Sequence, residues 1–319
     1  MTPETAQLPG SLFLVDASIY IFQAHFSPYT ECQDREGNDL SALYGFTRFL
    51  LQFLQRTNPQ HVAVAMDESL FKGFRHELCS QYKSNRELPD ENLEMQLAGC
   101  AEVTQALGLS CFGSTRYEAD DIIGTLANRA RVQTVNSYAV HVVSKDKDLA
   151  QLLQGASDTV WDFSSNRKQN RAGFIEEFGF APERVPDFLG LVGDSVDCIG
   201  GVPGVGPVKA KALLSRFGTL EHIYQNLDQV QQLEIRGAAR LAAALQEHKE
   251  AAYLSKELAT IVCDISASNE ACARATLDDL HRREHDVKDL QAILQNYRFT
   301  EMEAGHLVSL ASDLQASRE

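Results

Sequence analysis

Nothing in this chain approaches the ~20 consecutive apolar residues that a membrane-spanning helix needs. Its apolar runs, such as Leu12 to Val15 and Phe49 to Leu51, are a handful of residues long. The N-terminus lacks a basic segment followed by an apolar one, so neither membrane insertion nor export is indicated. Cysteine is sparse and unpaired. Seven cysteines are scattered from Cys32 to Cys272 without a Cys-x-x-Cys spacing, which excludes a disulfide framework and a zinc knuckle. They read as reduced core thiols in a cytoplasmic protein. The nine histidines are dispersed, show no Ser/His/Asp arrangement, and read as surface or satisfied core residues.

Positive charge is also in deficit, with 29 Lys and Arg against 44 Asp and Glu for a net charge of −15. At face value this argues against a nucleic-acid partner, since phosphate binding needs local positive potential. The basic residues nevertheless cluster, at Lys72, Arg75, Lys83 and Arg86; at Arg167, Lys168 and Arg171; and at Lys209, Lys211 and Arg216. Bound divalent cations would offset several of the acids. A solvated face is an equal reading of any one cluster.

What the chain does contain is enough apolar material for an ordinary core, at 44% hydrophobic over 319 residues, in one large domain or two modest ones. Residues 1 to 10, with Pro3, Pro9 and Gly10, carry no periodicity and read as a loose leader. Ser11 to Val15 is a continuous apolar run, as in a buried parallel strand, and ends on Asp16. Ser41 to Arg56 has helical periodicity, with Leu43, Phe46, Leu50, Phe53 and Leu54 on one face. His61 to Met66 repeats the strand pattern and ends on Asp67.

Phe71 to Arg86 interleaves bases with aromatics, a pattern that holds single strands by phosphate contact and base stacking, although a charged surface helix looks similar. Pro89 to Leu107 reads as a helix ending at Gly108, and Leu109 to Phe112 as a short strand. A fourth strand, Tyr138 to Val143, runs into Ser144-Lys145-Asp146-Lys147-Asp148, and Val160 to Phe163 reads as one more. Alternation of this kind implies an α/β domain with a mostly parallel, doubly wound sheet, in which ligands meet the strands' carboxyl ends.

From Gly173 onward the patterning is almost only helical, with breaks at Pro182, Pro186, Gly200 to Pro207 and Gly218. Two regions are therefore expected, an α/β domain over residues 1–172 and a helical region over 173–319. Gly201-Val-Pro-Gly204-Val-Gly206-Pro207 precedes a good helix former. Glycines let a backbone approach phosphate closely, a helix N-terminus offers free N–H groups, and Lys209 and Lys211 add charge. The stretch has the form of a helix-hairpin-helix (about 185–216), a reader of DNA backbone. A plain tight turn between helices is the alternative. Just before it, Asp194 and Asp197 are spaced to share one face of a helical turn.

In Tyr117-Glu118-Ala119-Asp120-Asp121 three carboxylates precede an apolar run, Ile122 to Leu126. Taken alone, such a cluster caps a helix. With Asp16, Asp67, Asp146, Asp148, Asp194 and Asp197 it has another reading, because so many acids cannot crowd together as bare anions. Oxygen ligands without histidine or thiolate select Mg²⁺ or Mn²⁺. Two such ions about 4 Å apart support phosphodiester hydrolysis.

The order Leu-Val-Asp16, Ala-Met-Asp67, Tyr-Lys83-Ser-Asn-Arg86, Tyr-Glu118-Ala-Asp120-Asp121, Asp146-Lys-Asp148-Leu and Gly-Asp194-Ser-Val-Asp197, followed by Gly-Val-Pro-Gly204-Val-Gly206, resembles the 5′-nuclease (flap endonuclease) family. The likeness covers residues 11 to about 260 and is nearest to the 5′→3′ exonuclease domain of bacterial DNA polymerase I and its stand-alone relatives. It implies a PIN-like core with a helical arch over about 70–90. One Mg²⁺ would be held by Asp16, Asp67, Glu118 and Asp120. The second would be held by Asp146, Asp148, Asp194 and Asp197, with Asp121 leaning toward it and Mn²⁺ able to substitute.

Lys83 and Arg86 would stabilise the scissile phosphate from the arch. DNA contacts are expected at Tyr20, Lys72, Arg75, Tyr82, Gly204, Gly206, Lys209 and Lys211, with K⁺ at the hairpin. The implied substrate is DNA bearing a 5′ flap, overhang or junction, and the implied state a monomer; no polymerase domain is expected to follow. Lys145 stands where the family has glycine, Gln23 where an arginine is common, and Cys198-Ile-Gly200 where Asn-Ile-Pro is usual. These put a phosphate contact and the hairpin approach in question. Two alternatives use the same features. A non-catalytic junction binder would not need both Asp194 and Asp197, and a nuclease for RNA–DNA hybrids is separable only by substrate.

Overall fold

The computed structural model describes residues 10–69, 72–135, 138–234 and 237–316. The expected leader lies outside these residues apart from Gly10, as does Phe71 at the start of the basic and aromatic stretch. Among the described residues, no helix is long and apolar enough to cross a membrane.

Six strands form one sheet: β1 (Gly10–Asp16), β2 (His61–Asp67), β3 (Ser110–Ser114), β4 (Tyr138–Val143), β5 (Thr159–Asp162) and β6 (Arg167–Asn170). Their spatial order is β3-β2-β1-β4-β5-β6. All neighbours pair in parallel except β5 and β6. Leu12, Leu14 and Val15 of the central strand are fully buried, which is why this run is apolar throughout rather than alternating. The chain builds outward on either side of β1, so the crevice at the carboxyl ends of β1, β2 and β4 is the switch point where such sheets bind ligands.

The helices of the first half are α1 (Ala17–His25), α2 (Ser41–Thr57), α3 (Phe74–Leu78), α4 (Glu91–Ala106) and α5 (Ala119–Gln133). Asp90 starts the expected 89–107 helix at Glu91 by capping its N-terminus, its Oδ1 accepting from the Leu93 N–H at 2.8 Å. Leu43, Phe46, Leu50, Phe53 and Leu54 of α2 are all fully buried, at roughly 1.5–3 kcal/mol each for the larger side chains. The second half holds α6 (Arg171–Phe178), α7 (Val185–Val192), α8 (Pro207–Phe217), α9 (Leu220–Gln225), α10 (Leu227–Val230), α11 (Ala238–Glu247), α12 (Lys249–Ala259), α13 (Val287–Asn296) and α14 (Glu301–Ala316).

Two apolar cores flank the sheet. One gathers α1, α2, α4, α13 and α14. The other joins α5 to the helices from α7 to α12. The last two helices thus return to the first half of the chain, with Leu294, Phe299, Leu307 and Leu314 in the same core as Leu43 and Phe46. The division at 172/173 is kept as a proposal.

Two features go beyond the sequence reading. The basic cluster Arg167-Lys168 belongs to β6, an antiparallel edge strand whose exposed, polar sequence carries no apolar signal; charge on an edge also discourages pairing with other chains. The arch expected over about 70–90 is not a continuous helix. Its described part is the five-residue α3, then turns and irregular chain up to Asp90.

Candidate metal centre

The sheet delivers the first acids. Asp16 closes β1, is 5% exposed, and accepts a hydrogen bond from the Ser144 Oγ at 2.8 Å. The same Ser144 oxygen accepts from the Asp146 N–H at 3.0 Å, so one hydroxyl ties the ends of β1 and β4. Asp67 closes β2 and accepts from the Ser69 N–H and hydroxyl at 3.1 and 2.7 Å. Asp146 accepts from the Asp148 N–H at 2.8 Å, which turns the chain into a short 3₁₀ helix beginning at Asp148. Glu118 and Asp120 come from the start of α5.

The remaining two lie on a loop after α7. Asp194 and Ile199 exchange backbone bonds of 2.8 and 2.7 Å, closing the loop that presents Asp197. Its neck needs glycine. A Cβ on Gly201, whose φ is +64, would sit 2.3 Å from the Gly193 nitrogen.

Asp16, Asp67, Glu118, Asp120 and Asp146 line one cavity of about 960 Å³. The same cavity is also lined by apolar side chains of α1, α4 and the chain before α4, among them Phe22, Phe26, Leu88, Leu93 and Leu97. Burial pushes Asp16 up to about 6, with Asp146 and Asp67 adding repulsion against the help of Ser144. Asp120 is raised by burial and then by Asp146 and Asp16. Burial likewise raises Asp146, to which Asp197 and Asp194 add. Asp148 reaches about 8 through burial, then Asp146, Asp194 and Asp197. These mutual repulsions link both sets of acids through Asp146. Glu118 differs: burial acts to raise it, but Lys83 and Arg75 outweigh that and hold it below its ordinary range.

The donors all being oxygens, the set suits hard divalent cations. Their upward shifts come first from burial and then from one another. Among the described residues, no three His, Cys, Asp or Glu side chains stand close enough together, as placed, to hold a metal ion between them. His281 and His285 share the interval of a metal-binding helix, but the segment between them is not helical. His281 meets the His61 ring edge-on, and the His285 Nε2 lies 3.5 Å from the Ala311 carbonyl.

Lys83 and Arg86 do reach the acids. The Lys83 Nζ is 2.9 Å from Glu118 and 3.9 Å from Asp197. The Arg86 Nη2 is 2.7 Å from the Asp197 Oδ1. Lys83 sits in a turn with φ +51, its N–H bonded to the Asp197 carbonyl at 3.0 Å. Asn85 donates to the Val196 carbonyl at 3.1 Å, which docks this turn on the 194–199 loop.

Four expected roles change. Asp121 cannot lean toward a metal, because its carboxylate accepts from Arg75 at 2.7 and 2.8 Å, from the Glu118 N–H at 3.1 Å and from the Val262 N–H at 2.9 Å. Arg75, expected on DNA, is 3% exposed and spends its guanidinium on Asp121 and the carbonyls of Leu258 and Thr260. Tyr20 is 4% exposed, stacks on Phe49 at 3.8 Å, and accepts from the Phe163 N–H, so it is core. Tyr82 is 3% exposed and donates to the Glu118 Oε2 at 3.1 Å, which makes it a support of that carboxylate rather than a DNA contact.

Of the other expected DNA contacts, Lys72 is exposed. Gly204 has φ +78, and a Cβ on Gly204 or Gly206 would meet open space, leaving the hairpin backbone approachable. Lys209 donates to the Gly204 carbonyl at 2.8 Å, and the Lys211 Nζ lies 5.3 Å above the Phe178 ring. Gln23 accepts from the Ser164 hydroxyl, Lys145 is exposed, and Cys198 adopts a left-handed φ of +57. The sequence reading missed Ser144. Its signal was a hydroxyl at the end of β4, directly before Lys145-Asp146.

The model for the "5′-3′ exonuclease, N-terminal resolvase-like domain" matches residues 11–179, and that for the "5′-3′ exonuclease, C-terminal SAM fold" matches 180–288. DNA polymerase I of Pseudomonas aeruginosa is 37% identical over 291 residues, covering 90% of this chain, which spans 30% of that relative's length. The 5′-3′ exonuclease of Buchnera aphidicola subsp. Schizaphis graminum is 30% identical over 94% of this chain and 100% of its own. A structure of the bacteriophage T5 D15 flap endonuclease, in complex with DNA and metal ions, has a TM-score of 0.59 at 18% identity, over 95% of this chain and 99% of that one. At that identity the likeness is one of fold.

Proposed function

The chain belongs to the 5′-3′ exonuclease family, and from that premise we propose that it is a structure-specific 5′-nuclease hydrolysing phosphodiesters near the 5′ ends of flapped or branched DNA, with two Mg²⁺ ions. The observation that carries this reading is the convergence of acids from the carboxyl ends of β1, β2 and β4, the start of α5 and the 194–197 loop around Asp146. Asp16, Asp67, Glu118 and Asp120 would hold one ion, and Asp146, Asp148, Asp194 and Asp197 the other. Bound there, such ions supply activation of a water and neutralisation of charge on the attacked phosphate.

The chain's own residues do the rest. Lys83 and Arg86, now paired with Glu118 and Asp197, lie where a scissile phosphate would take over as their anionic partner, and the buried Lys83 would stabilise its developing charge more strongly than the exposed Arg86. Tyr82 and Ser144 fix the carboxylates that they hydrogen-bond. The apolar side chains that line the cavity, such as Phe22 and Phe26, offer bases of an unpaired strand a stacking surface, and Lys72, Lys209, Lys211 and the open backbone at Gly204 and Gly206 suit duplex phosphates. Recognition is then of DNA structure rather than sequence, by a monomer, with K⁺ at the hairpin.

The test is a comparison of a 5′-labelled flap duplex, an RNA–DNA hybrid and a blunt duplex, each with Mg²⁺ and with chelator. Cleavage of the flap only with Mg²⁺ is expected. No metal-dependent cutting of any substrate would sink the enzyme and leave a junction binder; preference for the hybrid would move the substrate to RNA.

A further inference from the structure

Arg75 has five N–H donors, and four of them are spent on hydrogen bonds. The Nε reaches the Leu258 carbonyl and an Nη2 hydrogen the Thr260 carbonyl, both at 2.8 Å. The fork grips Asp121 through Nη1 and Nη2 at 2.7 and 2.8 Å. The remaining Nη1 hydrogen has Glu118 Oε2 beside it, with nitrogen and oxygen 3.5 Å apart. Asp121 is 0% exposed, and beyond Arg75 it accepts from the backbone N–H groups of Glu118 and Val262.

The pair therefore joins three parts of the chain: α3, the start of α5, and the segment that follows α12. That segment matters for the acids on the far side. Helix α12 packs closely on α7, since a Cβ on Gly190 would lie 2.9 Å from the Ala252 carbonyl, and the Ser255 hydroxyl accepts from the Gly201 N–H at 3.0 Å. Helix α7 leads directly into Asp194 and Asp197. One buried ion pair thus lies between the helix that begins at Glu118 and Asp120 and helix α12, which packs on the helix leading into the loop of Asp194 and Asp197.

We propose that Arg75 and Asp121 are a positioning pair that orients Glu118 and sets its spacing from the Asp194–Asp197 loop, so that divalent-ion affinity and turnover, rather than DNA affinity, depend on them. The proposal rests on the nuclease reading above for its catalytic consequence, but not for its metal consequence. A surrounding partner that orients a ligand is worth roughly 10- to 100-fold in metal affinity. Lysine cannot reproduce a planar fork.

The experiment takes chelator-stripped full-length protein, wild type and Arg75→Lys, and titrates it with Mn²⁺ while following free Mn²⁺ by electron paramagnetic resonance. The kcat and KM on a flap duplex are then measured across a range of Mg²⁺. Arg75→Lys is expected to weaken Mn²⁺ binding by roughly 10- to 100-fold, and to lower kcat most at low Mg²⁺ with KM unchanged. A raised KM with unaltered Mn²⁺ affinity would overturn the proposal in favour of a DNA contact. A lowered Tm alone, with Mn²⁺ affinity and kcat intact, would reduce the pair to a structural tie.

Because a single substitution strands a buried charge, the double variant Arg75→Met/Asp121→Leu provides a second route, since apolar replacement of a whole buried pair is often neutral for folding. It too must lose Mn²⁺ affinity, and wild-type binding by it would overturn the proposal. A wild-type protein that binds Mn²⁺ yet cuts nothing would instead refute the nuclease reading and leave the Mn²⁺ comparison able to decide the pair's role.

Discussion

Glu118 receives the Tyr82 hydroxyl and the Lys83 ammonium on one oxygen, Asp120 faces Asp146 and Asp16, and Asp121 folds back to cap the helix that all three begin. Side chains this close in sequence diverge because helix geometry sends each in its own direction. Asp120 has no capping duty, so its substitution tests the metal reading cleanly. Asp120→Ala is expected to abolish cleavage while flap binding, measured by anisotropy in Ca²⁺, persists. Lys83→Ala should lower kcat by roughly 10²- to 10³-fold, the cost of losing one preorganised charge donor, with binding little changed. An unaltered kcat would remove Lys83 from the mechanism.

At the level of elements, the hairpin before α8 and the turn after α3 approach DNA by different means. Pro207 opens α8 at a position where its missing N–H costs nothing, and Gly206 stands extended at the cap. Lys209, if it contacts phosphate, carries no sequence information. Lys209→Ala should weaken duplex binding evenly across sequences and flatten the log-affinity against log-salt slope by about 1. A slope equal to wild type would leave Lys209 only its bond to Gly204. The turn from Cys79 to Arg86 is docked by ion pairs, by two hydrogen bonds to the 196–197 backbone and by the buried Tyr82 ring, without a helix of its own. The repeating helical signal expected of an arch is accordingly absent from it.

For the molecule as a whole, metal and protons compete for the same oxygens. Asp16 and Asp148 have folded-state values of about 6 and about 8 against an ordinary 3.8. The folded chain therefore binds more protons than the unfolded one between these limits, so the metal-free stability falls as pH rises through that window. Chelator-treated protein should show a Tm that drops from about pH 4 to about pH 8 on this account. The rise in Tm on adding Mg²⁺ should be larger at pH 8 than at pH 5, because the ion replaces protons. An Mg²⁺ increment that is flat with pH would contradict the crowded-carboxylate picture. The sequence by itself determined the buried strands and their terminal acids, because a strand covered on both faces must be apolar throughout and an acid at its end then stands out. The periodic face of α2 was equally plain, as was the order of motifs that marks the family. Only the tertiary structure decided that Arg167-Lys168 is an edge strand, that α13 and α14 return to the first core, and that Tyr20 and Tyr82 point inward. It also decided that Arg75 belongs to Asp121 rather than to DNA. These depend on partners that the local pattern does not name, some far along the chain, such as Arg75 with Asp121 and Thr260. A local pattern records that a side chain is charged or aromatic, but what it meets is set by where distant chain segments pack.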